Sequence, residues 1–168
     1  MIMRIKGKSI KLGDNINTDF IISGRYKFSI TDIKELSKHI MEDIDPEFPR
    51  KIIPGSSIIV AGKNFGMGSS REQAPLVIKG AGIVCVMAES FARIFFRNSF
   101  NIGLLLVETD TGKISDGDSL EIDLDRGKVK NLSKNTELSI KPLPFFMQEL
   151  LREGGVTNYI KKHGELKV

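Results

Sequence analysis

The sequence predicts an α/β fold, and three observations carry that reading. The middle of the chain alternates β-branched, strand-like runs with short helix-like segments, and the stretch from Ser119 to Ile140 alternates apolar and polar residues as a hairpin does. A hydrophobic content of 40% over 168 residues is enough for one well-packed core and too little for two, so one domain spanning residues 1–168 is expected.

The first strand is expected over Met3 to Leu12, followed by the turn-forming cluster GDNINTD. Asp19 to Ile22 then lead into Ser23-Gly24-Arg25-Tyr26. Thr31 or Asp32 caps a helix that places Ile33, Leu36, Ile40 and Met41 on one face. The segment from Glu42 to Arg50, with two prolines, reads as a loop. Ile58, Ile59 and Val60 form a buried strand bounded by Pro54-Gly55 and Gly62. A helix begins at Leu76, with Pro75 in its first position, where the fixed φ suits and no donor is lost. A strand over Ile83 to Ala88 precedes a helix capped by Ser90, with Phe91, Ile94 and Phe95 on one side and Arg93 and Arg97 sharing a face. Leu104 to Val107 make another strand. The hairpin turns at Asp125-Arg126-Gly127, and helices around Phe145 to Leu151 and Val156 to Ile160, split by Gly154-Gly155, close the chain.

Composition excludes several classes. The longest apolar stretches are of strand length, far short of the roughly 20 residues that cross a bilayer, and MIMRIKGKSI is no secretion signal. No membrane is expected, and the chain reads as cytoplasmic. The net charge of +4 is modest and its lysines are dispersed, so no nucleic acid is expected as a partner. Cys85, the single cysteine, lies in the apolar run IVCVMA and reads as a buried, inert thiol. One cysteine and two separated histidines, His39 and His163, do not make the ligand set of a zinc or iron–sulfur site, so no metal is assigned to this chain.

The richest segment is GKNFGMGSSREQAP, Gly62 to Pro75. A helix starting at Ser69 or Ser70 would bury Pro75 in its interior, so Gly66 to Glu72 reads as a loop. Gly66 and Gly68 allow positive φ and close approach of backbone amides to an anion. Neither spacing of the best-known phosphate loops is present. Ser69-x-x-Glu72 also fits a capping box, so the residues alone leave two readings: a helix cap, or a carboxylate or phosphate loop.

Three motifs in order, GDNINTDFIISGRY, GKNFGMGSSREQAP and SFARIFFRNSFNIG, resemble the small subunits of aconitase-type isomerases and hydratases. The likeness is greatest to 3-isopropylmalate dehydratase small subunits and their archaeal-type homoaconitase relatives, and it covers nearly the whole chain. The resemblance implies an aconitase-like swivelling β/β/α three-layer domain. It also implies a partner large subunit carrying a [4Fe-4S] cluster, and a small hydroxy-dicarboxylate substrate that is dehydrated and rehydrated. It assigns Ser69 as the base that removes a proton beside a carboxylate, and Ser70 and Arg71 as contacts to substrate carboxylates. Asp19 matches the aspartate of the family's Thr-Asp motif at the active site; its other reading is a turn former. Arg93 and Arg97 are expected to support the site or face the large subunit, and Glu72 to orient Arg71 or cap the loop.

In relatives, the residue two after the tyrosine of the first motif reads the substrate's γ-substituent. The corresponding loop here is Tyr26, Lys27, Phe28 and Ser29. Phe28 has no donor and would leave a carboxylate unpaired, so an apolar substituent such as isopropyl is favoured over homoaconitate. Lys27 is a possible carboxylate partner, and packing of Phe28 under the next helix is the other reading of that ring. Gln73 stands where many relatives have histidine. The expected function is therefore the small subunit of an isopropylmalate isomerase in leucine biosynthesis. Homoaconitase and dimethylmalate-type hydratase subunits are the enzyme alternatives. A carboxylate- or phosphate-sensing module is the non-enzyme alternative.

Overall fold

A computed structural model describes residues 3–166. Seven strands form one mixed sheet: β1 (Arg4–Lys11), β2 (Ser57–Val60), β3 (Ile83–Ala88), β4 (Leu106–Glu108), β5 (Ser119–Asp123), β6 (Lys128–Asn131) and β7 (Thr136–Ser139). Their order is β4-β3-β2-β1-β5-β6-β7. The neighbours β4, β3, β2 and β1 run parallel, and β5, β6 and β7 continue from β1 as an antiparallel meander. Parallel strands need crossovers, and the helices supply them. Four short helices, α1 (Thr18–Ile21), α2 (Gly24–Lys27), α3 (Ile33–Leu36) and α4 (Phe48–Lys51), lie between β1 and β2. Then α5 (Gln73–Gly80) joins β2 to β3 and α6 (Arg93–Asn101) joins β3 to β4, while α7 (Phe145–Arg152) and α8 (Val156–His163) end the chain. Among the described residues, no helix is long and apolar enough to cross a membrane.

The α/β class expected from the strand and helix alternation is what the chain adopts. All of β2 is buried, as a strand flanked by parallel neighbours should be. Cys85 is fully buried in β3, and desolvation raises its thiol pKa well above the ordinary range.

Several boundaries differ from expectation, each for a physical reason. The helix after the glycine loop starts at Gln73, so Pro75 is its third residue. The first four amides of a helix need no intrahelical partner, and proline is therefore tolerated there as well as at the first position. Ser90 does not cap α6: Ala92 occupies that position without a side-chain bond, and Ser90 Oγ accepts from the Asn64 amide at 2.8 Å. Phe91 precedes the helix, and Ile94 is exposed, leaving Phe95 as the inward residue of that trio. The helix capped by Asp32 stops at Leu36 and tightens into a 3₁₀ turn over Ser37–His39. Its continuation through Met41 fails because the Met41 amide is taken by the Ile21 carbonyl at 3.0 Å. The segment read as a loop to Arg50 contains the start of α4. The stretch from Ser119 to Ile140 was expected as a two-stranded hairpin and holds a third strand, β7, which is mostly exposed at the sheet edge and shows no burial pattern to read.

Candidate active site

The loops that follow β1, β2 and β3 leave the same edge of the sheet, the carboxyl ends of three adjacent parallel strands, where ligands of open α/β sheets bind. Backbone bonds knit the three loops together. The Gly66 amide donates to the Ile16 carbonyl at 2.7 Å, and the Thr18 amide to Met67 at 2.9 Å. On the other side, the Phe65 amide donates to Ser90 at 3.0 Å and the Ala92 amide to Phe65 at 2.9 Å. The glycine loop is thus held between the loops on either side of it. Beneath it, buried Phe65 meets Phe91 and Phe95 edge-on, at ring separations of 6.1 and 5.3 Å.

Gly66 and Gly68 adopt φ of +81° and +91°, as expected of them. At Gly66 a second constraint applies, because a Cβ there would lie 2.2 Å from Cγ of Phe95. The side chain that would be missing at Gly66 is the space into which Phe95 packs.

This loop and the start of α6 enclose a cleft of about 220 Å³ lined by Thr18, Gly66, Gly68, Ser69, Ser70, Arg71, Arg93 and Asn98 among others. Ser69 and Ser70 are exposed in a non-helical segment, so the loop reading holds and the capping box does not form. Thr18 Oγ1 donates to the Ser69 carbonyl at 2.8 Å, fixing the backbone while leaving the serine hydroxyl uncommitted. Thr18 and Asn98 were not expected to line the site; Thr18 reaches it through the Ser69 carbonyl on another loop, and Asn98 through its position on α6.

Arg71 is the most constrained polar group in the cleft. Its side chain is only 16% exposed, pairs with the Asp19 carboxylate through Nη2, and donates from Nη1 to the Ile22 carbonyl at 3.5 Å. Among the described residues its Nε is buried without any acceptor. A buried donor left unmatched costs about 1–3 kcal/mol, so an acceptor brought by a ligand gains more here than at a solvated guanidinium. Asp19 sits in the first turn of α1, whose Asn17 cap accepts from the Asp19 and Phe20 amides at 2.7 and 3.1 Å. It lies beside Arg71 rather than among the residues lining the cleft. Orientation of Arg71 therefore comes from Asp19, and Glu72, for which that role was expected, makes no ion pair or capping bond among the described residues.

The loop of Tyr26, Lys27, Phe28 and Ser29 lies outside the cleft lining of this chain. It borders Arg71 through Gly24, where a Cβ would be 3.9 Å from Nη1. Phe28 is 86% exposed, so the reading in which it packs under the next helix is overturned. Lys27 lies over the Phe28 ring, 5.4 Å from its centre. Tyr26 turns away, donating its hydroxyl to Glu42 at 2.9 Å; that bond raises the phenol pKa above its ordinary value. Ser29 Oγ folds back on the Tyr26 and Arg25 carbonyls. Arg93 lines the cleft and, together with Arg97, a second depression shared with α7.

No three His, Cys, Asp or Glu side chains converge among the described residues, and the single cysteine is sealed in the core with its thiol protonated.

Residues 16–112 match the family model described as the aconitase C-terminal domain. The chain is 52% identical to the 3-isopropylmalate dehydratase small subunit 2 of Archaeoglobus fulgidus, covering 99% of this chain and 100% of that one. It is 53% identical to the 3-isopropylmalate dehydratase small subunit of Thermodesulfovibrio yellowstonii, over 95% of each. A crystal structure of 3-isopropylmalate dehydratase from Methanocaldococcus jannaschii superimposes with a TM-score of 0.92 at 47% identity, covering 96% of both chains. With its glycine loop, strand order and full-length likeness in agreement, the chain belongs to the 3-isopropylmalate dehydratase small-subunit family of the aconitase superfamily.

Proposed function

We propose that this chain is the cytoplasmic small subunit of a hydro-lyase of leucine biosynthesis, which isomerises 2-isopropylmalate to 3-isopropylmalate by dehydration and rehydration. The observation that carries the site assignment is the cleft where Arg71, with its unmatched Nε, lies beside two uncommitted serine hydroxyls. A cleft of this size takes a small metabolite rather than a nucleotide. Arg71 holds a substrate carboxylate by charge-assisted bonds, and Ser70 supplies a second contact to it. Ser69 Oγ takes the proton from the carbon beside that carboxylate as the hydroxyl leaves the neighbouring carbon, and on rehydration it delivers a proton to the carbon that had carried the hydroxyl while water adds to the other. A serine oxyanion forms at neutral pH only where oriented dipoles and cations stabilise it, and the loop amides and Arg71 are the groups at hand. The [4Fe-4S] cluster belongs to the large subunit and supplies the Lewis acid toward the departing hydroxyl.

The isolated chain is expected to show no hydratase activity with 2-isopropylmalate. Activity appears when the chain is combined anaerobically with its large subunit, and turnover by the chain alone would overturn this division of labour. Phe28 selects the apolar substituent from its exposed position. Phe28→Arg should lower kcat/KM for 2-isopropylmalate and raise it for homocitrate, moving the ratio by about 10² or more, since an unpaired carboxylate costs several kcal/mol. An unchanged ratio would remove Phe28 as the specificity residue.

A further inference from the structure

Helix α2 carries the specificity loop yet fully buries none of its own residues, and of these Tyr26 alone packs, half-buried, against the core. A set of side chains holds it there. The Tyr26 ring stacks on His39 with centres 3.8 Å apart and planes within 15°. Glu42 joins the pair from the end, accepting from Tyr26 through Oε2 at 2.9 Å and meeting His39 Nδ1 through Oε1 at 3.0 Å. Next to them, the Arg25 guanidinium lies 5.4 Å from the centre of the Tyr26 ring and pairs with Asp43.

The other half of this clasp is anchored. Leu36, Ile40 and Met41 flank His39 and are fully or almost fully buried. Met41, at φ of +57°, donates its amide to Ile21 and accepts from the Ile44 and Asp45 amides, so the turn bearing His39 and Glu42 is tied to the core. A buried turn thus reaches out through His39 and Glu42 to the one half-buried side chain by which this element meets the core, Tyr26.

We propose that His39 and Glu42 are positioning residues for the specificity loop, holding Tyr26 so that Phe28 is presented to substrate in one orientation. This rests on the reading that the Tyr26–Ser29 loop selects the substrate. Neither residue touches the cleft around Ser69 and Arg71. Releasing the clasp lowers the fraction of enzyme with a competent loop, which weakens apparent affinity in proportion, while bound substrate restores the loop and leaves the chemical step alone.

The test uses the reconstituted two-subunit enzyme with His39→Ala, Glu42→Ala and the milder Glu42→Gln, each checked for an unchanged thermal midpoint. Hydrogen exchange at the amides of Arg25 to Phe28 should quicken by about tenfold, with KM for 2-isopropylmalate rising about tenfold and kcat staying within about twofold. Glu42→Gln, which keeps one acceptor, should fall between wild type and Glu42→Ala. Amides that stay as protected as in wild type would overturn the clasp. Amides that open without any change in KM would overturn the positioning role. Phe28→Arg, assayed alongside, then tells the two failures apart: a shifted substrate ratio keeps the loop as the selector, and an unshifted one removes it.

Discussion

Ser69→Ala in the reconstituted enzyme lowers kcat for 2-isopropylmalate by about 10² to 10⁴, the range for losing a positioned proton-transfer group. The change removes one oxygen and leaves the loop intact. Its shape is set by backbone bonds to Ile16, Thr18 and Ser90, and the Thr18 hydroxyl holds the Ser69 carbonyl rather than its side chain. KM should therefore stay within a few-fold, because the carboxylate contacts of Ser70 and Arg71 survive. That split distinguishes a base from a binding group. Exchange of the substrate's α-proton with solvent should fall by the same factor as turnover. A variant that retains near-normal turnover would remove Ser69 as the base, whatever the fate of the other assignments.

Arg71→Ala is expected to cost about 10² to 10³ in kcat/KM, since truncating one member of a hydrogen-bonded charge pair costs about 2–5 kcal/mol. Two losses combine. The substrate carboxylate loses its cation, and Asp19, paired to Arg71 in the free protein, is left as an uncompensated negative charge next to where that carboxylate must sit. Arg71→Lys restores the charge but not the planar fork, so it should recover only part of the loss. Because the Asp19 side chain is half exposed, the pair contributes little to stability, and the thermal midpoint should barely move. A KM within twofold of wild type for Arg71→Ala would show that the guanidinium does not hold substrate.

The strands were legible because their causes are local. Ile58 to Val60 and Ile83 to Ala88 announce themselves by β-branched runs between turn formers, and both lie where expected. The glycine loop was legible for the same reason, since Gly66 and Gly68 specify positive φ without outside help. What escaped the sequence depends on partners far along the chain. Ser90 looks like a helix cap but accepts instead from Asn64, 26 positions away. Arg71 has Glu72 next to it, yet its partner is Asp19 on another loop. Pro75 marks a helix start correctly to within two residues, because proline is compatible with any position of the first turn. His39 looked like one of two isolated histidines until the turn at Met41 carried it beneath Tyr26.

The main-chain bonds on both flanks of Gly66–Gly68 mean that the entropy of ordering this loop is spent at folding, before any ligand arrives. A half-site made this way works as a rigid stamp rather than a closing hand. Pinned on both flanks, Gly66–Gly68 does not itself fold over a bound molecule. In the two-subunit enzyme proposed above, docking of the other subunit over the cleft would then perform the task that a mobile lid performs in single-chain enzymes.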